Sequence, residues 1–401
     1  MRKKNENVAK DRRSGFYVLL VIGVLAVGGL AVFVLPQKSY SEMENRYLTI
    51  LPQISVEGIL SGEVQRDLTE MANDQFPMRD LWMKIATTGE YLLYRREVNG
   101  VYIGKDNYLF DKIVDSDLSQ KNYETNLGYI TALKAATDAD VSVMLIPTAG
   151  TVLTDKLPKR AVLYDSAAYE ATGEMLCEAD SVRWIQTRDA LTRVARDGLR
   201  RIYFHTDHHW TTEGAYEGAA VYLAAQGIQL APQESFELQT VSKDFYGTLY
   251  SKAAGLPGAR PDELALPQAL PDELVIETDG APADALNENG EKALPELTGI
   301  YDLSKLTAKD KYAVYFGGNY GKLTIRNPQA AGKGTLLIFK DSYVNSMVPY
   351  LLDNYEQITM IDLRYFNESV PALISQDWDE VLVCYELSNF IKDRNLFKLI
   401  R

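Results

Sequence analysis

Apolar residues fall along this 401-residue chain in three rhythms. The first is an unbroken run, Phe16 to Leu35, uncharged from end to end and long enough to cross a bilayer as a helix. The second is helical. From Arg79 to Tyr94, Leu81, Ile85 and Leu92 recur on one face and predict a core-packing helix. The third begins after the Asn99-Gly100 turn, which joins strand-like Val101–Ile103 to strand-like Tyr108–Phe110. From there helical stretches (118–137, 167–177, 189–196) alternate with short buried strands (141–147, 182–185). Such alternation predicts an α/β fold with a mostly parallel sheet flanked by helices.

The carboxyl half continues the pattern. Arg201–Phe204 reads as a short strand and Thr211–Ala225 as a helix capped by Thr211 or Thr212, so that the intervening residues form a strand-to-helix loop. Thr335–Phe339, Ile358–Leu363 and Val381–Tyr385 read as further strands, with a helix from about Val344 to Leu352. Between about 255 and 305 the rhythm lapses into Ala, Pro, Asp and Glu, and Pro261-Asp-Glu-Leu264 recurs as Pro271-Asp-Glu-Leu274. This segment reads as an acidic insertion that buries too little apolar surface to hold a fixed place.

Charge changes the picture at both ends of scale. A net charge of −13 argues against nucleic acid as a partner. Arg2, Lys3, Lys4, Lys10, Arg12 and Arg13 precede the apolar run, which places residues 1–15 as a cytoplasmic tail, 16–35 as a transmembrane anchor in the lipid bilayer and 36–401 as an extracytoplasmic domain. A cleaved signal peptide is the competing reading; Val34-Leu35-Pro36-Gln37 lacks its small-residue cleavage pattern. The two cysteines, Cys177 and Cys384, do not make a disulfide framework, and their pairing is left open.

All three histidines lie within positions 205–209, so any imidazole chemistry comes from that loop. Asp207 and His209, two residues apart, suit an acid that orients a base. Ser342 sits at a strand-to-helix turn, where a hydroxyl projects from the sheet edge and free backbone N–H groups can hold an oxyanion; a plain helix cap is the alternative. A metal site built from His205, Asp207, His208 and His209 is a rival use of the same residues, although no HExxH spacing is present. No cofactor motif is found.

Thr206-Asp-His-His-Trp-Thr211, followed by Glu213-Gly214, resembles the signature of the bacterial DHHW family, which is similar to the alginate O-acetyltransferase group of SGNH-hydrolase-like proteins. The resemblance extends to Ser41–Leu48, Gln75–Asp80, Asp244–Tyr250, Gly317–Asn319, Lys340–Tyr343 and Ile361–Tyr365. It implies an SGNH-like fold in which Asp207 orients, His209 is the base and Ser342 the nucleophile, in an Asp-His-Ser order that reverses the usual one. Lys340 stands where such families carry the Gly of a Gly-Asp-Ser block. Asn319 is either an oxyanion donor or an αL turn residue, Arg364 a substrate ligand or a surface ion pair, and Trp210 a sugar platform or packing beneath the loop.

The expected activity is transfer of an O-acyl group, read as acetyl, to a cell-surface polysaccharide through an acyl-serine. A membrane-bound O-acyltransferase partner is implied by the resemblance. An esterase of the same fold and a non-catalytic envelope scaffold that binds glycan or protein are the alternatives.

Overall fold

The computed structural model describes residues 2–41, 43, 46–198, 200–279, 297 and 299–401. Where the sequence reading has one domain from residue 36, the chain divides into two compact units. One comprises Met1–Tyr94 with Ala254–Pro257, the other Arg95–Ala253 with Gly258–Arg401.

The amino-terminal unit is helical. Its first helix, Arg2–Val34, contains the stretch Gly15–Val34, long and apolar enough to cross a membrane. Helices Val56–Ser61 and Glu63–Asp74 follow, separated by Gly62 in the left-handed region at φ 80°, a conformation that glycine adopts without a Cβ clash. The Gln75 side chain ties this unit together: its Oε1 accepts from Lys38 N at 2.9 Å and its Nε2 donates to Lys38 O and Thr49 O at 2.8 and 3.0 Å. Of the Ser41–Leu48 motif block, Glu42, Glu44 and Asn45 lie outside the described residues. The helix expected after Arg79 forms over Arg79–Leu92, but its apolar face is not a core face. Leu81, Ile85 and Leu92 are 43, 53 and 70% exposed. Helical spacing set the period of that face; a unit of a few helices has no second layer to cover it.

The second unit is built on a seven-stranded sheet. In chain order its strands are β1 Asp140–Ile146, β2 Arg183–Trp184, β3 Val275–Asp279, β4 Lys322–Arg326, β5 Thr335–Lys340, β6 Gln357–Ile361 and β7 Glu380–Glu386. Their order across the sheet is β3-β4-β6-β5-β7-β1-β2. The five strands from β6 to β2 run parallel, and β4 and β3 add antiparallel pairs at one side. The mixed, mostly parallel α/β sheet is the architecture the apolar rhythm predicts. Alternate residues serve opposite cores: Leu336 and Ile338 pack with Trp210, Tyr222 and Leu382, while Leu337 and Phe339 pack with Tyr123, Val383 and Phe390. Burial on both faces is why these strands read as continuous apolar runs.

Three local expectations are corrected. Arg201–Phe204 is not a strand of the sheet; it closes a loop on itself through an antiparallel bridge of Tyr203 with Trp210. The helix expected from Val344 to Leu352 is instead a chain of 3-10 turns, Ser342–Ser346, Val348–Tyr350 and Leu352–Asn354. Pro349 lacks an N–H, and in an α-helix its ring would strike the carbonyl four residues back, so the continuous helix is excluded. The acidic stretch is also ordered in part. Asp262–Pro267 pairs antiparallel with Leu238–Phe245, and β3 joins the main sheet. Residues 280–296 and 298 of that stretch lie outside the described residues.

Candidate active site

Two loops more than a hundred residues apart in sequence meet beyond the carboxyl ends of the parallel strands, the edge at which α/β sheets bind ligands. Strand β5 ends at Lys340 and delivers Asp341 and Ser342 to this edge. Asp341 caps the turn that follows, its Oδ1 accepting from Tyr343 N at 3.0 Å, while its Oδ2 accepts from Glu386 N and Asn389 Nδ2 at 3.0 and 2.8 Å. A carboxylate held by three donors fixes the backbone on which Ser342 stands.

The histidine loop is placed by its neighbours. Tyr203 Oη donates to Pro147 O at 2.6 Å, just past the end of β1. Thr211 caps the helix Thr212–Ala225 by accepting from Gly214 N at 3.2 Å, as the sequence indicates. Gly218 lets the same helix lie on Trp210, because a Cβ there would come within 2.6 Å of the indole. Trp210 is fully buried, and its Nε1 donates to Tyr343 O at 3.0 Å and Ser346 Oγ at 2.9 Å. In return the Tyr343 hydroxyl donates to His208 O. These reciprocal bonds stitch the His loop to the Ser turn. They also correct the sugar-platform reading of Trp210: a ring with no exposed face has none to offer a substrate.

At the seam, His209 Nε2 lies 2.7 Å from Ser342 Oγ, and His209 Nδ1 lies 2.6 Å from Asp207 Oδ1. The carboxylate therefore holds the Nδ1–H tautomer and leaves Nε2 free to accept the serine proton. Asp207 is itself fixed: Oδ1 accepts from His209 N at 3.0 Å, and Oδ2 accepts from Thr248 N and Thr248 Oγ1 at 2.8 and 3.0 Å. Gly247 precedes that threonine, and a Cβ on it would fall 2.2 Å from Asp207 Cβ, so no side chain fits there. Tyr312 stacks on the His209 ring at 3.7 Å and 9° and donates its hydroxyl to Ser342 O at 3.1 Å. The ring is thus clamped from its face as well as from its edge.

The electrostatics keep the base in its unprotonated form. Burial and the neighbouring His208 push His209 down to about 4 against the attraction of Asp207, so the imidazole is neutral at pH 7. Burial works to raise the Asp207 carboxyl, but the His208 and His209 charges and the bonds from His209 and Thr248 outweigh it and hold the group well below the usual range. Among the described residues Asp207, His208 and His209 also lie close enough to share a metal ion. Both ring nitrogens of His209 already face protein partners, however, which leaves that ring no lone pair for an ion without breaking the serine or aspartate contact.

A cavity of about 250 Å³ opens over the pair, lined by His208, His209, Thr248, Tyr312, Gly318, Asn319, Ser342 and Tyr365 among others. Gly317 and Gly318, at φ 72° and 137°, turn the chain so that Asn319 reaches this cavity. Arg364 is not among the lining residues. Its guanidinium forms a two-pronged pair with Asp362, Nε to Oδ1 at 2.8 Å and Nη2 to Oδ2 at 2.6 Å, the contact that the ion-pair reading expects. Sequence reasoning missed Tyr312, Thr248 and Asp262. The block Asp244–Tyr250 contained a signal for the second, since Gly247-Thr248 is the segment that holds Asp207.

Comparison with known proteins gives the family and the fold. A family model described as DHHW protein matches residues 126–361, more than half of the chain. No curated protein matches the chain in sequence. Among solved structures, a DHHW family protein from Eubacterium siraeum DSM 15702 superposes with a TM-score of 0.60 at 20% identity, covering 76% of this chain and 95% of that one. Bacillus cereus PatB1 with a sulfonyl adduct gives a TM-score of 0.56 at 20% identity, covering 75% and 98%. The O-acetyltransferase domain of Pseudomonas putida AlgJ gives 0.44 at 13% identity, covering 73% and 93%. At 20% identity the likeness to the first two concerns the fold. Its family rests on the matched model and on the Asp207-His208-His209-Trp210 loop within it: the chain belongs to the DHHW family.

Proposed function

We propose that this protein is a membrane-anchored, extracytoplasmic O-acyltransferase that modifies a cell-surface polysaccharide, with acetyl as the group transferred. The observation that carries the reading is the Ser342–His209–Asp207 relay, continuous at 2.7 and 2.6 Å. His209 Nε2 takes the Ser342 Oγ proton as that oxygen attacks the acyl carbonyl; the tetrahedral intermediate collapses, the leaving alcohol takes the proton from His209, and the acyl group stays on Ser342 as an ester. A sugar hydroxyl then gives its proton to His209 and attacks the ester carbonyl; the intermediate collapses to the new O-acyl sugar, and His209 returns the proton to the departing Ser342 Oγ. The Ser342 backbone N–H and Asn319 would hold the oxyanion in both steps.

In this reading the catalytic groups occur in the order Asp, His, Ser along the chain. Residues 16–35 span the bilayer with residues 1–15 in the cytoplasm, and the basic flank before the apolar run supports that orientation. An acyl donor must then be presented on the outer side, which a membrane-bound O-acyltransferase partner would do.

Transfer and hydrolysis share the acyl-serine and part only at its acceptor. Incubating the protein with an aryl acetate, with and without oligosaccharide, separates them: acetyl is expected on the sugar, and acetyl recovered solely as free acetate would make the protein an esterase. The pH profile supplies a second check. The neutral imidazole is the working form and is lost as pH falls through its pKa, so a pKa lowered to about 4 moves the acid limb of kcat/KM down from the usual imidazole range near 6.5. Activity at pH 5.5 is expected to stay within about twofold of that at pH 7; a limb centred at 6.5 to 7 would contradict the buried, neutral His209.

A further inference from the structure

We propose that Lys340 is a positioning residue that locks the Asn319 carboxamide with its NH2 group turned toward the reacting centre. The inference rests on the acyl-serine reading and adds to it the reason why this family member carries a lysine immediately before the Asp341-Ser342 pair.

Lys340 is the last residue of the central strand β5, 3% exposed, with Cys384 of β7 as its register partner. Its ammonium donates to two side chains: Asn319 Oδ1 at 2.9 Å and Asn345 Oδ1 at 2.7 Å. An ammonium has three donors and no acceptor, so each contact fixes which end of the amide faces it. Asn345, with its oxygen engaged, turns its Nδ2 to the same Asn319 Oδ1 at 3.2 Å. The oxygen of Asn319 is thereby held by two donors from behind. Its two N–H bonds are directed away from them, and Asn319 lines the cavity that contains Ser342. A flipped Asn319 would set donor against donor at both contacts, which are partly withdrawn from solvent.

The charge on Lys340 survives its burial. Desolvation pushes it down to about 8, with Asp362 and Asp341 opposing and Arg364 assisting, so at neutral pH the ammonium remains protonated. A glycine at this position, the residue usual in a Gly-Asp-Ser block, supplies no such donor, and Asn319 Oδ1 would keep only the weaker contact from Asn345.

Turnover of an aryl acetate by the full-length chain in detergent tests this through a double-mutant cycle. Asn319→Ala is expected to lower kcat by about 10²- to 10³-fold, the loss typical of one oxyanion donor. Lys340→Met, which keeps the stem and removes the donor, is expected to lower kcat by about 10- to 100-fold with KM changed less than about twofold. The two together should lower it no further than Asn319→Ala alone. Effects that multiply, or an unchanged kcat in either single variant, would overturn the proposal while leaving the nucleophile in place. If Lys340→Met does not accumulate as folded protein, Asn345→Ala takes its place in the cycle, with a loss of about threefold or more and the same non-additivity expected. A Ser342→Ala enzyme that still turns over would instead remove the acyl-serine reading itself.

Discussion

Ser342→Ala is expected to lower acyl transfer by at least about 10⁴-fold, while the protein keeps its fold. The hydroxyl being removed is the attacking atom, and its loss leaves His209 Nε2 without a proton to take. Little else depends on it: the turn is held by Asp341 through its bonds from Tyr343, Glu386 and Asn389, none of which involves the Ser342 side chain. The melting temperature should therefore stay within about 2 °C. His209→Ala should be nearly as damaging, and the double variant no worse than Ser342→Ala, since the two groups act in one step. A serine-directed sulfonyl fluoride should label the wild type at Ser342 and neither variant. If the wild type showed no turnover and took up no label, and Ser342→Ala left the cellular phenotype unchanged, the protein would have to be read as a scaffold that keeps the fold and binds glycan.

The two halves of that relay were visible in the sequence for different reasons. Three histidines in five positions are rare enough to mark a loop, and Asp207 two residues before His209 is a spacing that allows a carboxylate–imidazole contact. Ser342 was visible because β5 is an apolar run that stops abruptly at Lys340-Asp341-Ser342, and buried central strands announce their ends in this way. Their meeting was not visible, because it depends on the Trp210 indole and the Tyr343 hydroxyl crossing between loops. An aromatic residue with a polar tip looks the same in sequence whether the tip meets water or a carbonyl. The same ambiguity turned Trp210 into a candidate sugar platform and hid Tyr312, one tyrosine among 25. Helix period failed twice for plain physical reasons: Pro349 breaks a run that otherwise looks helical, and the face of Leu81, Ile85 and Leu92 has no layer against it.

Asp262→Ala is expected to destabilise the larger unit by about 3–5 kcal/mol, the cost of breaking a buried charge network by removing one member, and to lower its melting temperature on the order of 10 °C. Asp262 is completely buried. Its Oδ1 accepts from His205 N at 2.9 Å and from Arg201 Nη1 at 3.2 Å and faces His205 Nδ1 at 3.0 Å; its Oδ2 accepts from Thr206 N and Thr206 Oγ1 at 2.8 and 2.7 Å. Alanine would leave those donors unmet at the base of the loop that carries Asp207 and His209, so activity should fall along with stability. The control is written in the chain itself. Asp272 occupies the same place in the repeated Pro-Asp-Glu-Leu but is exposed, beside Glu273 in a left-handed turn at φ 60°. Asp272→Ala should move the melting temperature by less than about 2 °C. Identical tetrapeptides thus have opposite weight, because the strand Asp262–Pro267 pairs with Leu238–Phe245 and carries the first copy under the histidine loop. Equal melting temperatures for the two variants would mean that the loop is held without Asp262, and thermal denaturation of the two variants side by side decides it.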